Sequence, residues 1–234
     1  MTQDWKQLHH SAQLAEAAYI DTMAAAVSAF NALGHVVVAR YLDGDHQAFL
    51  LHSSEGLTLA IAGTRFGRSL GDLLDDADIV ATELAAGARV ASGPYSGMGD
   101  LWRWALGHAA PGSTFAVCGH SLGGERTLMT ELFLPAERIR YLHAFEAPKC
   151  GNAAFWASIA KSVSKATCVI NGSDLWAGWP LVSEWSHPPI PHIHLLGDPG
   201  RWEMVGPQSW PDAIDPNDHA IGLVAKRLGD IAGP

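Results

Sequence analysis

Residues Thr114 to Gly124, Thr-Phe-Ala-Val-Cys-Gly-His-Ser-Leu-Gly-Gly, constrain this chain more than any other stretch. An apolar run of strand length ends in G-x-S-x-G. Beyond it Leu128, Met129, Leu132 and Phe133 recur at helical spacing, while Glu125, Arg126, Thr130 and Glu131 take the other face. The pattern predicts a strand, a sharp turn carrying a serine, and a helix. Only small neighbours fit at such a turn, so Gly119 and Gly123 let the backbone fold tightly and lift the Ser121 hydroxyl above the sheet edge. Ser121 is therefore the candidate nucleophile. The plainer alternative is a Gly-rich turn with an unreactive serine, which a chain with 24 glycines can produce by chance. Cys118 competes by chemistry, but a residue inside the strand points away from the turn.

The surrounding pattern extends this unit into a sheet. Residues 11–33 are Ala-rich and read as helix up to Gly34; His35 to Tyr41, Gln47 to His52 and Leu57 to Ala62 then read as strands separated by turn residues. From Ser96 onward strands are expected at 114–118, 139–145 and 166–170, with helices at 97–108, 122–133 and 152–163. Such alternation predicts an α/β fold with a parallel sheet and crossover helices, whose ligands bind at the carboxyl ends of the strands, where Ser121 falls. With 234 residues, 48% hydrophobic and 17% charged, the chain can bury a full core as one domain over 1–234, its Pro- and Trp-rich last third forming long loops.

Charge narrows the partners. A formal charge of −9 without a Lys/Arg stripe gives no footprint for nucleic acid and disfavours anionic membrane surfaces. No apolar run reaches the length of a membrane span, and Met1-Thr-Gln-Asp-Trp-Lys lacks the apolar core of a signal peptide, so cytoplasmic synthesis without Sec export is expected, with release by another route left open. Cys118, Cys150 and Cys168 are expected as reduced core thiols, since an odd number so spread makes no disulfide framework.

A serine hydroxyl needs a base to take its proton and an acid to orient that base. Asn171-Gly-Ser-Asp174 follows a strand, so Asp174 stands past a carboxyl end and is the candidate orienter, although the same tetrapeptide would also serve as a plain Asx turn. The order Ser, Asp, His limits the base to His187, His192, His194 and His219. His219 is favoured, with His194 behind it. It follows Pro216-Asn217-Asp218 and precedes Ile221, Val224, Ala225 and Leu228 at helical spacing, which predicts a place in the first turn of a terminal helix capped by Asn217 or Asp218. A helix N-terminus would help keep the imidazole neutral. The N–H of Leu122 is one candidate oxyanion donor, and Thr64 after Gly63 is the other.

These segments resemble the class 3 lipase family, the fungal-lipase-like α/β hydrolases. The resemblance runs from about residue 12 to residue 225, through Ala18-Tyr19, Gly63-Thr64, Asp72-Leu-Leu-Asp75, Gly93-Pro-Tyr and the elbow Gly119-His-Ser-Leu-Gly-Gly124. Phe145-Glu-Ala-Pro148 with Gly151-Asn152 is similar to the family's F-G-x-P-R-x-G-N, Asn171 to Pro180 to its N-x-x-D-x-V-P-x-L-P, and Asp218-His219 to its final D-H. The resemblance implies an α/β-hydrolase fold with Ser121, Asp174 and His219 as triad and Thr64 and Leu122 as oxyanion donors. This chain departs from it in having Ile61-Ala62-Gly63-Thr64 for F-R-G-T, and Glu146, Lys149, Cys150 and Ala177 for Gly, Arg, Val and Pro.

The expected activity is hydrolysis of small-molecule or lipid carboxylic esters without a cofactor. The rivals are a phospholipase or acyltransferase on the same triad, and a noncatalytic binding protein that keeps the fold. Leu70, Leu73, Leu74 and Ala77 share a helical face opposite Asp72, Asp75, Asp76 and Asp78, which reads as a lid or a fixed surface helix. Trp176, Trp179, Trp185, Trp202 and Trp210 are expected around the acid and base, as acyl-pocket walls or as core. The His pairs at 9 and 10 and at 192 and 194 lack a third ligand, so no metal site is expected.

Overall fold

The computed structural model describes residues 3–64, 80–180, 184–209 and 214–233. Its centre is an eight-stranded sheet. Three strands, β1 (Val36–Asp43), β2 (His46–Ser53) and β3 (Gly56–Ile61), form an antiparallel meander. A separate ribbon pairs β4 (Ala81–Glu83) with β5 (Arg89–Ala91). The chain then returns to the main sheet with β6 (Phe115–His120), β7 (Ile139–Phe145), β8 (Ala166–Asn171) and β9 (His192–Leu195), all parallel to β3. Strand β10 (Trp202–Val205) closes the edge antiparallel to β9, giving the order β1-β2-β3-β6-β7-β8-β9-β10. The mostly parallel sheet flanked by helices is the fold class that the alternation predicts.

Side chains alternate across this sheet because successive Cβ atoms point to opposite faces. Leu59, Ile61, Phe115 and Val117 enter one core, covered by α4 (Met98–Gly107) through Leu101 and Trp102, which α3 (Ser92–Tyr95) precedes, and by α5 (Leu122–Leu128) through Leu128. Ala60, Cys118 and Phe145 enter the other. There α1 (Trp5–Ala17) and α2 (Met23–Ala32) present Leu8, Ala12 and Phe30, and the C-terminal helix α8 (Ile221–Ala232) presents Val224 and Leu228. Each fully buried Leu, Val or Phe contributes about 1.5–3 kcal/mol, so two filled faces fix the register that carries the strand ends.

Several elements differ from the sequence expectation for reasons that the contacts make plain. The long Ala-rich helix is two helices: Asp4 caps the first by accepting the Gln7 N–H, and the chain breaks between Ala18 and Thr22. The Gln47 amide donates to the Ala18 and Ile20 carbonyls at 2.6 and 3.1 Å, and Tyr19 turns inward. The expected helix 152–163 divides at Ile159 into α6 (Ala153–Ser158) and α7 (Ala160–Val163), and α5 ends at Leu128, followed by a 3-10 turn at Thr130–Leu132. Strand β10 lies where only loop was expected. Its Trp202 packs on Trp5 at a centroid distance of 4.6 Å, not beside Asp174 or His219. The acidic segment at 70–78 and Trp210 lie outside the described residues. Among the described residues no helix is long and apolar enough to cross a membrane.

Candidate active site

The turn after β6 has the backbone that its glycines foreshadow. Ser121 has φ +57° and ψ −128°, a conformation that costs a non-glycine residue on the order of 1–3 kcal/mol. Close packing holds it there. A Cβ at Gly119 would lie 2.2 Å from the Gly123 carbonyl oxygen, and one at Gly123 would lie 2.3 Å from that of Ile61. The Ser121 N–H donates to the Phe145 carbonyl at 2.9 Å, while the Gly124 and Glu125 N–H groups fold back on the Ser121 carbonyl. The Leu122 N–H opens α5 and so has no partner within the helix. Gly63 brings the end of β3 against this turn: a Cβ there would sit 2.9 Å from Ser121 Cβ and 2.4 Å from Tyr19 Oη. Thr64 follows, half-buried, as the last described residue of its segment.

Two distant loops meet Ser121. His219 Nε2 lies 2.9 Å from Ser121 Oγ, and His219 Nδ1 lies 2.9 Å from Asp174 Oδ2. Asp174 is fully buried, and its carboxylate also accepts the Trp176 N–H at 2.9 Å and the Ala177 N–H at 3.2 Å. It therefore makes the Asx turn and meets the imidazole at once, because the turn aims the second oxygen. His219 sits in a 3-10 turn, Pro216–His219, capped by Asp215 rather than by Asn217 or Asp218, and α8 begins only at Ile221. The ring thus lies ahead of the helix, not in its first turn. The Asp218 carboxylate accepts the Ser173 N–H at 2.9 Å and pairs with Arg227 of α8 at 3.1 Å, tying the two loops together.

The other candidates go elsewhere. His194 turns its nitrogens to the Gly172 carbonyl and Glu203. His187 and His192 are buried and pack edge to face at 4.9 Å. Cys118 is buried in β6, where loss of solvent pushes its thiol up to about 12, so it is not a thiolate at neutral pH. Cys150 and Cys168 are likewise buried free thiols. Trp176 is buried with its ring 6.3 Å from that of His219, and Trp179 lies 6.5 Å beyond it. Of the histidine pairs, His10 bonds to His35 at 2.9 Å.

A second layer supports the first, and sequence reasoning assigned its residues no role. The Tyr19 hydroxyl accepts the Gly63 N–H at 2.9 Å and lies 2.6 Å from His120 Nδ1. Burial, and after it the Glu146 carboxyl, push the phenol's ionisation up, so it keeps its proton and donates to Nδ1. That places the His120 hydrogen on Nε2, which donates to the His219 carbonyl at 2.8 Å. Glu146 Oε2 is 3.2 Å from the same nitrogen. Burial, with His219 nearby, holds His120 well below the usual imidazole range and therefore neutral. His120, Glu146 and His219 bring potential metal-ligand atoms within 4.8 Å of one another, but Tyr19, the His219 carbonyl and Asp174 already engage the ring nitrogens.

Residues 93–183 match the family described as Lipase (class 3). By that match the segment that carries the Ser121 turn and Asp174 is similar to that family. Solved structures of similar fold include a lipase from Rhizopus microsporus var. chinensis (18% identity, TM-score 0.70, 92% of this chain and 85% of that one). A mono- and diacylglycerol lipase from Aspergillus oryzae is similar at 16% identity and a TM-score of 0.71, over 89% of this chain and 88% of the other. A triacylglycerol lipase whose catalytic centre is described as a serine protease triad aligns at 17% identity and a TM-score of 0.67, over 87% and 84%. No curated relative matches the sequence at a significant level.

Against the class 3 lipase pattern, the substitution at Glu146 falls closest to the site. The family's usual glycine suits a position whose φ here is +49°, so this chain holds a charged-type side chain in a backbone that favours glycine. The signal was legible only as a departure: an acidic residue directly after the strand end Ala144-Phe145, two residues before Pro148.

Proposed function

We propose that this class 3 lipase relative hydrolyses carboxylic esters of lipids or small molecules through Ser121, His219 and Asp174. The observation that carries the reading is the imidazole of His219, with Ser121 Oγ and Asp174 Oδ2 each 2.9 Å from one of its nitrogens. His219 Nε2 takes the Ser121 proton as Oγ attacks the ester carbonyl. Asp174 accepts the Nδ1 hydrogen, fixes the tautomer that leaves Nε2 basic, and stabilises the imidazolium that forms. The N–H groups of Leu122 and Thr64 receive the developing oxyanion; one such donor is worth roughly 10²–10³ in rate. The same imidazole gives the proton to the leaving alkoxide and then activates water against the acyl-enzyme. No step requires a cofactor.

The match of residues 93–183 to the class 3 lipase family supports a lipid ester as substrate, and the formal charge of −9 favours neutral over anionic lipid. The test is Ser121→Ala, followed by release of p-nitrophenol from a short-chain ester and by labelling with a fluorophosphonate. Turnover should fall by roughly 10⁴ or more and labelling should vanish while circular dichroism is retained. A native protein that neither labels nor turns over would be a noncatalytic binder, and a Ser121→Ala protein that still turns over would remove the serine from the mechanism.

A further inference from the structure

Three neighbouring parallel strands deliver acid or nucleophile at their carboxyl ends. Strand β6 leads to Ser121, β8 leads three residues on to Asp174, and β7, between them, leads to Glu146. The Glu146 carboxyl has no exposed surface. Its Oε1 has no hydrogen-bond partner among the described residues, and its Oε2 stands 3.9 Å from His219 Nδ1, the nitrogen that Asp174 meets at 2.9 Å. We propose that Glu146 is a second acid for His219, a positioning residue held beside Asp174 that accepts the Nδ1 hydrogen when Asp174 is lost. The inference rests on the triad reading above.

The geometry asks for little movement. An approach of about 1 Å, within what a side-chain rotation supplies, would bring Oε2 into hydrogen-bonding range of Nδ1. The Glu146 N–H donates to the Val169 carbonyl at 2.8 Å, so the backbone is anchored while the carboxyl turns. The charged and titratable groups around it are Tyr19, His120, Asp174, Asp218, His219 and Arg227. Burial first, then the Asp174 and Asp218 carboxylates, keep Glu146 in its acid form, while Arg227 and the Asn171 N–H pull toward the carboxylate. Removing Asp174 therefore does two things: it leaves Nδ1 without its acceptor, and it removes the like charge that most opposes ionisation of Glu146. Reserve and trigger are coupled by one substitution.

The experiment compares native protein, Asp174→Ala, Glu146→Gln and the double variant in hydrolysis of a soluble p-nitrophenyl ester from pH 5 to 10, with folding checked by circular dichroism. Asp174→Ser, which keeps one acceptor for the Trp176 N–H, repeats the pair if the alanine variant unfolds. Glu146→Gln is expected to lower kcat roughly 100-fold in the Asp174→Ala background and less than tenfold in the native one, because Glu146 takes the Nδ1 hydrogen only where Asp174 no longer does, so the two losses couple. The acid limb of Asp174→Ala should lie at higher pH than that of the double variant. Glu146 must be ionised to serve, and its charge then stabilises the imidazolium. A packing role would be met by glutamine in both backgrounds. Equal rates and superimposable pH profiles for Asp174→Ala and the double variant would overturn the proposal; turnover surviving Ser121→Ala would instead overturn the triad reading.

Discussion

Tyr19→Phe is a sharp probe of the layer behind the candidate site, because it removes one oxygen and leaves the ring. That oxygen accepts the Gly63 N–H at 2.9 Å and donates to His120 Nδ1 at 2.6 Å. Both partners are enclosed: His120 is 2% exposed, and Gly63 is wedged between Tyr19 and the Ser121 turn. A buried donor or acceptor left unpaired costs about 1–3 kcal/mol, so two such groups predict a loss of about 2–6 kcal/mol. For a chain of this length each kcal/mol is worth roughly 2–4 °C, so Tm should fall by roughly 4–24 °C in a scanning calorimeter. The kinetic effect should be distinct. The Gly63 N–H bond holds the turn that presents Thr64, so a loosened turn should lower kcat for a soluble ester roughly tenfold or more, with KM little changed, when assayed well below the new Tm. A Tyr19→Phe protein that melts within a degree of native and turns over at the native kcat would refute both the accounting of orphaned groups and the link from Tyr19 to the loop.

Gly119→Ala should abolish the folded elbow altogether. The added carbon would lie 2.2 Å from the Gly123 carbonyl oxygen and 2.8 Å from Thr127 Oγ1, and soluble protein with native fluorophosphonate labelling would contradict that packing. Glu125→Gln should flatten the fall of Tm with rising pH. Burial lifts the Glu125 carboxyl to about 8 against partial relief from Arg126, so the folded state holds that proton more tightly than the unfolded chain does. Its stabilisation is complete below the unfolded carboxyl range and is lost as pH rises toward 8. Buried His143, held near 3, and His192, held near 4, act with the opposite sign, so stability from them is present above about 6.5 and lost as pH falls. Melting curves for native protein and Glu125→Gln from pH 6 to 9 check the first effect, and parallel slopes would count against it.

Much of the fold was legible because its strands obey a two-residue period and its helices a 3.6-residue one. Leu59, Ala60 and Ile61 go alternately to the two cores, which is what a run of apolar residues in a strand covered on both sides must do. The helix break at Ala18 was not legible, since Ala, Tyr and Ile offer no local stop; the cause is tertiary, the pull of Gln47 and Gly63 on that turn. The same division holds at the site. Chain order and strand ends bring Ser121, Asp174 and His219 into view one at a time. The turn geometry of His219 depends on the Asp215-Pro216 cap, a local start signal, and on an Asp218–Arg227 contact that no local pattern announces. The linkage of Tyr19, His120 and Glu146 joins three segments more than 25 residues apart, and only folding brings them into contact.

Backbone strain ties these observations together. Ser121 and Glu146 both have positive φ, and they end adjacent parallel strands. Each passes its N–H to the next strand: Ser121 to the Phe145 carbonyl at 2.9 Å, and Glu146 to the Val169 carbonyl at 2.8 Å. Strained positions persist only where the surroundings over-determine them, and here two consecutive sheet hydrogen bonds do so, backed by a buried register in which His120 faces Phe145 and Phe145 faces Val169. Relaxing one residue would misalign the bond that holds the next. The sheet therefore does more than carry the loops: it locks β6, β7 and β8 so that a hydroxyl and two carboxyls arrive around one imidazole, with the strain stored where the chemistry is proposed to occur.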